Sequence, residues 1–230
     1  MKRLIKIIGT VFSDFIKFFI IYFPGSTGRR LRYYYWRGKF KKCGKNVFID
    51  EGVIIQNPEC ISIGDNVWID KYCILMAGKA NLSERIHKRK VNEDFIGEEG
   101  DLIIGKNVHI SPFCIIQAHG GFQIDDNSGF SSGVKVYTLS NLPYNPENPS
   151  DIVYFTPMAD KSAYFISPVV IKENVGVALN CIILSGVTIG EKSFVAPNSV
   201  VLTNVSPNSY VSGNPAKKIK DRFKMEENNE

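Results

Sequence analysis

Among the three histidines of this 230-residue chain, one sits where an imidazole could serve as a base. His119 lies in Gln117-Ala118-His119-Gly120-Gly121. A free imidazole titrates near pH 6.5, about right for taking a hydroxyl proton and returning it. The two glycines leave room for another backbone or a ligand, and the N–H of Gly120 or Gly121 could face a developing oxyanion. The plainer reading of His119 is a corner histidine bonded to a neighbouring carbonyl. His87 lies in a charged run (Glu84, Arg85, Lys88, Arg89, Lys90, Glu93, Asp94) and reads as a solvated loop residue. His109 is expected to face outward near a corner. A zinc site of three converging histidines is disfavoured, because the spacing is wrong and one histidine falls in a loop. Asp125 and Asp126 are close enough in sequence to orient His119, but they occupy turn places and read more readily as structural. Five cysteines occur without paired spacing; Cys73, Cys114 and Cys181 read as core-filling thiols, which suits a reducing compartment.

These side chains need a scaffold, and the apolar pattern defines one. Aliphatic residues recur every six positions, most cleanly at Ile171, Val177, Ile183, Ile189, Val195 and Val201. Four residues after each comes a small or branched residue (Val175, Cys181, Val187, Ser193, Ser199, Val205). A helix repeats at 3.6 and a lone half-buried strand at two, so a period of six marks a β-solenoid in which each unit forms one short side of a coil. Gly64, Asn66, Gly105, Asn107, Gly190 and Asn198 fall where the backbone must turn. The period slips by two residues between Ile55 and Ile63 and again between Ile116 and Ile124, which bulges a corner outward. The second slip contains His119.

Outside the hexads the chain changes character. Ile8, Phe12, Phe15, Phe19 and Tyr22 make one face of an amphipathic helix that Phe23-Pro24-Gly25 ends. Lys6, Asp14 and Lys17 break it up, so no spanning segment is expected, and no small-residue cleavage site follows as in a secretory leader. Residues 26–42, basic and aromatic, read as a second short helix. The domain reading is a helical region 1–42, a coil 43–216 with loop insertions near 79–101 and 139–168, and a closing tail 217–230 with a short basic helix. The helices and the basic C-terminal segment are the expected caps for the open ends of the coil. Net charge is +5, concentrated at Arg29–Lys45 and Lys217–Lys224. That placement, with no known module, gives nucleic-acid binding little support.

Ile104-Gly-Lys-Asn-Val, Ile183-Leu-Ser-Gly-Val-Thr-Ile-Gly-Glu, Val195-Ala-Pro-Asn-Ser-Val-Val and the closing Gly213-Asn214-Pro215-Ala216-Lys217 resemble the hexapeptide-repeat acyltransferases over roughly residues 43–220. Phe23-Pro24-Gly25, Gly28-Arg29, Arg32-Tyr33 and Gly44-Lys45-Asn46-Val47 look like a subgroup associated with surface polysaccharides. The resemblance implies a mainly β fold, a left-handed parallel β-helix, a hand opposite to the usual crossover rule. It implies a homotrimer with sites between protomers, acetyl-CoA as acyl donor, a sugar hydroxyl or amine as acceptor, and no metal.

Acyl transfer from a thioester requires a base, an oxyanion donor and held geometry. His119 is the expected base. Many sugar O-acetyltransferases that the chain resembles place their histidine in the loop after a Tyr-Thr strand end, and in Val136-Tyr137-Thr138-Leu139-Ser140-Asn141 that place holds Asn141. Asparagine is no base, but it could orient the acceptor or donate to an oxyanion. The same likeness assigns Ala178, Ser185, Gly186 and Ala196 to CoA, with Lys217 and Lys218 near its phosphates. The favoured expectation is a cytoplasmic O-acetyltransferase acting on a polysaccharide or lipid-linked saccharide, with residues 1–45 touching the inner face of a membrane or simply capping the coil. The alternative is a carbohydrate-binding or scaffolding coil that has lost catalysis.

Overall fold

The structure, a computed structural model, describes residues 2–82, 86–156 and 161–224. Each hexad becomes one side of a three-sided parallel coil. Ile171, Val177 and Ile183 fall on three successive sheets, and Ile189, Val195 and Val201 fall on the same three one coil later. The first face stacks Lys42–Cys43, Ile61–Ile63, Leu102–Ile104, Phe122–Ile124, Val169–Ile171 and Thr188–Ile189. The second stacks Phe48–Ile49, Trp68–Ile69, His109–Ile110, Gly129–Phe130, Gly176–Val177, Phe194–Val195 and Ser209–Gly213. The third stacks Ile54–Gln56, Ile74–Met76, Ile115–Gln117, Lys135–Tyr137, Ile182–Ile183 and Val200–Val201. The aliphatic ladder fills the interior: Ile49, Ile69, Ile110, Cys114, Ile116, Cys181 and Ile183 are all fully buried. At about 1.5–3 kcal/mol per buried aliphatic side chain, this ladder is the main favourable term. All five cysteines are free, and Cys73, Cys114 and Cys181 lie in the core as expected.

The turns work in two ways. At the first corner, between the first and second faces, Asn46, Asn66, Asn107 and Asn127 adopt φ of 55–57°, the left-handed region asparagine tolerates. Their amides bond up the stack at 3.1, 3.1 and 2.9 Å. Gly64 and Gly105 are needed for another reason: a Cβ there would lie 2.7 and 2.5 Å from atoms of the next coil. Both two-residue slips fall at the third corner, between the third and first faces, and the register continues unbroken beyond them.

Two helices precede the coil, and the second packs against its first strands. α1 spans Lys2–Tyr22 and α2 spans Gly25–Arg37. Trp36 and Phe40 stack on each other, ring centroids 6.2 Å apart, and are buried against the coil's core. Arg32 is fully buried; its Nε donates to the Ile49 carbonyl at 2.7 Å and its Nη1 to the carbonyls of Ile20, Ile21 and Phe23. It thereby ties the carbonyl end of α1 to the coil. Arg29 forks onto Asp50 at 2.7 and 3.0 Å, and Trp68 Nε1 donates to the same carboxylate at 2.9 Å. Burial works against the charge on Asp50, but these hydrogen bonds and the nearby guanidinium charges outweigh it, and its pKa lies below the usual carboxylate value.

Three expectations are corrected. The C-terminal segment is a strand, not a short helix: Ala216–Asp221 folds back antiparallel on Ser209–Gly213 and covers the second face's open edge. Backbone groups on that edge need partners, and a strand supplies them where a helix would not. The two insertions are not merely loops. Leu139–Asn141 pairs antiparallel with Ala163–Ile166, which pairs parallel with Ile86–Arg89, giving a small lateral sheet beside the third corner. His87 stands on a strand of that sheet and receives a hydrogen bond from Arg89. Parts of both insertions (83–85, 157–160) and of the tail (225–230) lie outside the described residues.

Candidate active site

The second slip pushes His119 out at the third corner, where the chain leaves Ile115–Gln117 for Phe122–Ile124. The ring is half-buried. Its Nδ1 lies 2.8 Å from the carbonyl oxygen of Gly78, the equivalent corner one coil below. A carbonyl only accepts, so Nδ1 carries the hydrogen in that contact, and a neutral ring then has its lone pair on Nε2. The carbonyl contact foreseen as the plain structural reading is therefore present, and a contact of this kind also sets which ring nitrogen is free to accept a proton.

The coil above clamps the same turn. Thr138 Oγ1 accepts the Gly120 N–H at 2.7 Å and donates to the Gln117 carbonyl at 2.8 Å. Gln117 Oε1 accepts the Leu139 N–H at 3.1 Å. Gly121 N–H goes to the Ala118 carbonyl at 2.9 Å. Both glycine N–H groups are thus taken, and neither can face an oxyanion. The glycines answer to close packing instead: a Cβ on Gly120 would sit 2.5 Å from the Thr138 carbonyl oxygen, and one on Gly121 2.5 Å from the Phe95 ring.

Ser185 and Gly186 lie on this same edge, on the coil that follows Thr138. Ser185 Oγ donates to the Tyr137 carbonyl at 3.1 Å and lies 3.2 Å from Ser140 Oγ. Asn141, exposed, ends the strand that leaves the edge, and it shares one row of the lateral sheet with Tyr164 and His87. Ala178 and Ala196 stand elsewhere: they stack at the second corner, between the second and third faces, both buried. Lys217 and Lys218 lie on the returning C-terminal strand, exposed, with Lys218 paired to Asp221 at 2.6 Å. Within one chain, the residues expected for CoA are therefore divided between two edges and the far end.

The other acid–base candidates sit apart. His109 stacks on Trp68 at 4.9 Å and points to Asp70 at 3.5 Å on the second face. Asp126 accepts the Lys106 N–H and Asp125 the Gln123 amide, each at 2.7 Å, so both serve turns as expected. Among the described residues no cluster of three or more His, Cys, Asp or Glu could hold a metal ion. Sequence reasoning passed over Ser167. It is buried, and its hydroxyl has no partner among the described residues. It lines a cavity of about 220 Å³ with Gly120, Asn92 and Phe95, and it lies against Gly186. Its only signal was a serine before Pro168 at the close of an insertion.

No family model matches the chain. It is 27% identical over 190 residues to the dTDP-4-amino-4,6-dideoxy-D-glucose acyltransferase of Escherichia coli, covering 80% of this chain and 84% of that one. To a probable macrolide acetyltransferase of Lysinibacillus sphaericus it is 33% identical over 133 residues, 58% of this chain and 66% of the other. Among solved structures it is similar to AntD, an N-acyltransferase from Bacillus cereus, in a complex with dTDP and coenzyme A. The TM-score is 0.63 at 27% identity, over 81% of this chain and 87% of AntD.

Proposed function

We propose that this chain, an acyltransferase by its relatives and of the hexapeptide-repeat kind by its coil, moves an acetyl group from acetyl-CoA to a hydroxyl of a polysaccharide or lipid-linked saccharide, with His119 as general base. The observation that carries the reading is the Nδ1 contact with Gly78, which leaves the lone pair of a neutral ring on Nε2. As the acceptor oxygen attacks the thioester carbon, its proton passes to Nε2. The tetrahedral intermediate then expels the CoA thiolate, which takes the proton back from the imidazolium, so ester and thiol leave with the base restored. Asn141 supplies an amide to the acceptor or to the oxyanion, and the Ser167 hydroxyl, without a partner among the described residues, is a second donor beside the same corner. CoA would lie along Ser185, Gly186, Ala178 and Ala196, with Lys217 and Lys218 toward its phosphates. The division of these residues between two edges is reconciled by a homotrimer, in which one protomer's second corner faces another's third. The scaffold is read as a left-handed β-helix over 43–216, between a helical region 1–42 and a tail 217–230. The setting is read as cytoplasmic, with residues 1–45 against the inner face of a membrane.

A second reading has its own support. The E. coli and B. cereus relatives are named for N-acyl transfer or for an amino sugar, and an amine acceptor would use the same base. Purified protein with acetyl-CoA and a panel of sugars, including a nucleotide-linked amino sugar, separates the two: an ester product is cleaved by mild hydroxylamine and an amide is not. His119→Ala should lower kcat/KM by roughly 10²–10⁴. Equal turnover in the variant removes His119 from the reaction, and no thiol release with any acceptor favours the non-catalytic alternative.

A further inference from the structure

Among the described residues no helix is long and apolar enough to cross a membrane, yet α1 leaves an apolar face uncovered. Val11, Phe12, Phe15, Phe18, Phe19 and Tyr22 lie within half of the helix circumference, and Phe12, Phe15, Phe18 and Phe19 are each more than half exposed. Aromatic rings with a polar opposite side suit the boundary between headgroups and acyl chains. α1 is also held in place, since Arg32 grips its last carbonyls and the Gly52 N–H bonds the Ile21 carbonyl at 3.0 Å. Three residues past Tyr22, α2 opens a groove of about 830 Å³ against the first coil, lined by Ser26, Arg29, Arg30, Tyr33, Lys45 and Asn46. Arg29 is spent on Asp50, whereas Arg30 and Lys45 are exposed and make no ion pair among the described residues. The lining carries no carboxylate.

We infer that this groove is a phosphate site for the headgroups of an anionic bilayer, in whose surface α1 lies with its aromatic side down. The inference deepens the reading of residues 1–45 as a membrane contact and rests on it, but not on acyl transfer. The charge complementarity selects the occupant: a second copy of this chain would bring the same cations to the groove, and a neutral surface would leave Arg30 and Lys45 without counter-charge.

Flotation of the full chain with phosphatidylcholine vesicles, with and without phosphatidylglycerol, tests it. Binding should rise on the order of 5-fold or more with the anionic lipid and fall in high salt. Arg30→Ala with Lys45→Ala should lose that preference, and Phe15→Ser with Phe19→Ser should lose binding altogether. These side chains are exposed, so the melting curve of the coil should not move. Full-length protein that stays unbound with both vesicle types overturns the inference. So does equal binding to neutral vesicles, or a Phe15→Ser/Phe19→Ser variant that still floats but changes oligomeric state, which would give α1 to another copy. Thiol release with a soluble acceptor, measured on the same variants, should be unchanged, so failure here and failure of the proposed reaction are told apart.

Discussion

At the level of single residues, the third corner works as a vice. Gly78 below fixes the His119 ring, and Thr138 above fixes the turn that carries it. Thr138→Val keeps the shape but removes both of its hydrogen bonds and strands a buried N–H, at a cost of about 1–3 kcal/mol. The expected outcome is a lower Tm together with a lower kcat at little changed KM, read by thermal unfolding and steady-state kinetics; an unchanged kcat would mean the clamp does not position the ring. The sequence announced His119 through its slip in the period and its two glycines. It could not announce Thr138 or Gly78, because contacts between coils join residues about a full turn or more apart and leave no local pattern. Ser167 was hidden for the same reason.

At the level of elements, the regular parts were legible and the irregular parts were not. Hexads impose a period, so the coil and its cysteine fillers could be read directly. The strands of the lateral sheet are short, lie in charged or proline-rich runs, and pair across long separations in sequence, so nothing local marks them. The C-terminal strand misled through its lysines, which suggest a solvated tail and are equally the means by which an edge strand discourages further pairing. Ending the chain after Gly213 should strip the second face's edge; we expect a lower Tm and concentration-dependent aggregation by light scattering, and a truncated protein as soluble as the full chain would deny the strand that role. The α2 junction has a pH signature. The folded pKa of Asp50 lies below its unfolded value of about 3.9. Its contribution is present above that value and is lost as pH falls through the folded one. Asp50→Asn should therefore lower Tm at pH 7 by a few degrees, with the gap to wild type closing below about pH 4. A gap constant with pH would show that the carboxylate charge is not what matters.

Across the whole molecule, the residues assigned to the donor do not meet in one chain, so the reading requires assembly. Sedimentation should give a mass three times that of the chain, and mixing His119→Ala protomers with protomers altered only at Ala178 (Ala178→Trp) should restore part of the activity that neither homo-oligomer has. A monomer with full turnover would end that account. The coil has one more property of design. In the last coils Ile171 faces Ile189, Val177 faces Val195 and Ile183 faces Val201, each eighteen residues on. The molecule is thus graduated like a ruler: a whole rung added or removed between Val169 and Val201 would shift the C-terminal strand by one strand spacing, about 4.8 Å, and leave the interior ladder unaltered. The track available to an elongated ligand can be lengthened or shortened only in such steps, so homologous proteins should differ here by whole rungs and not by single residues.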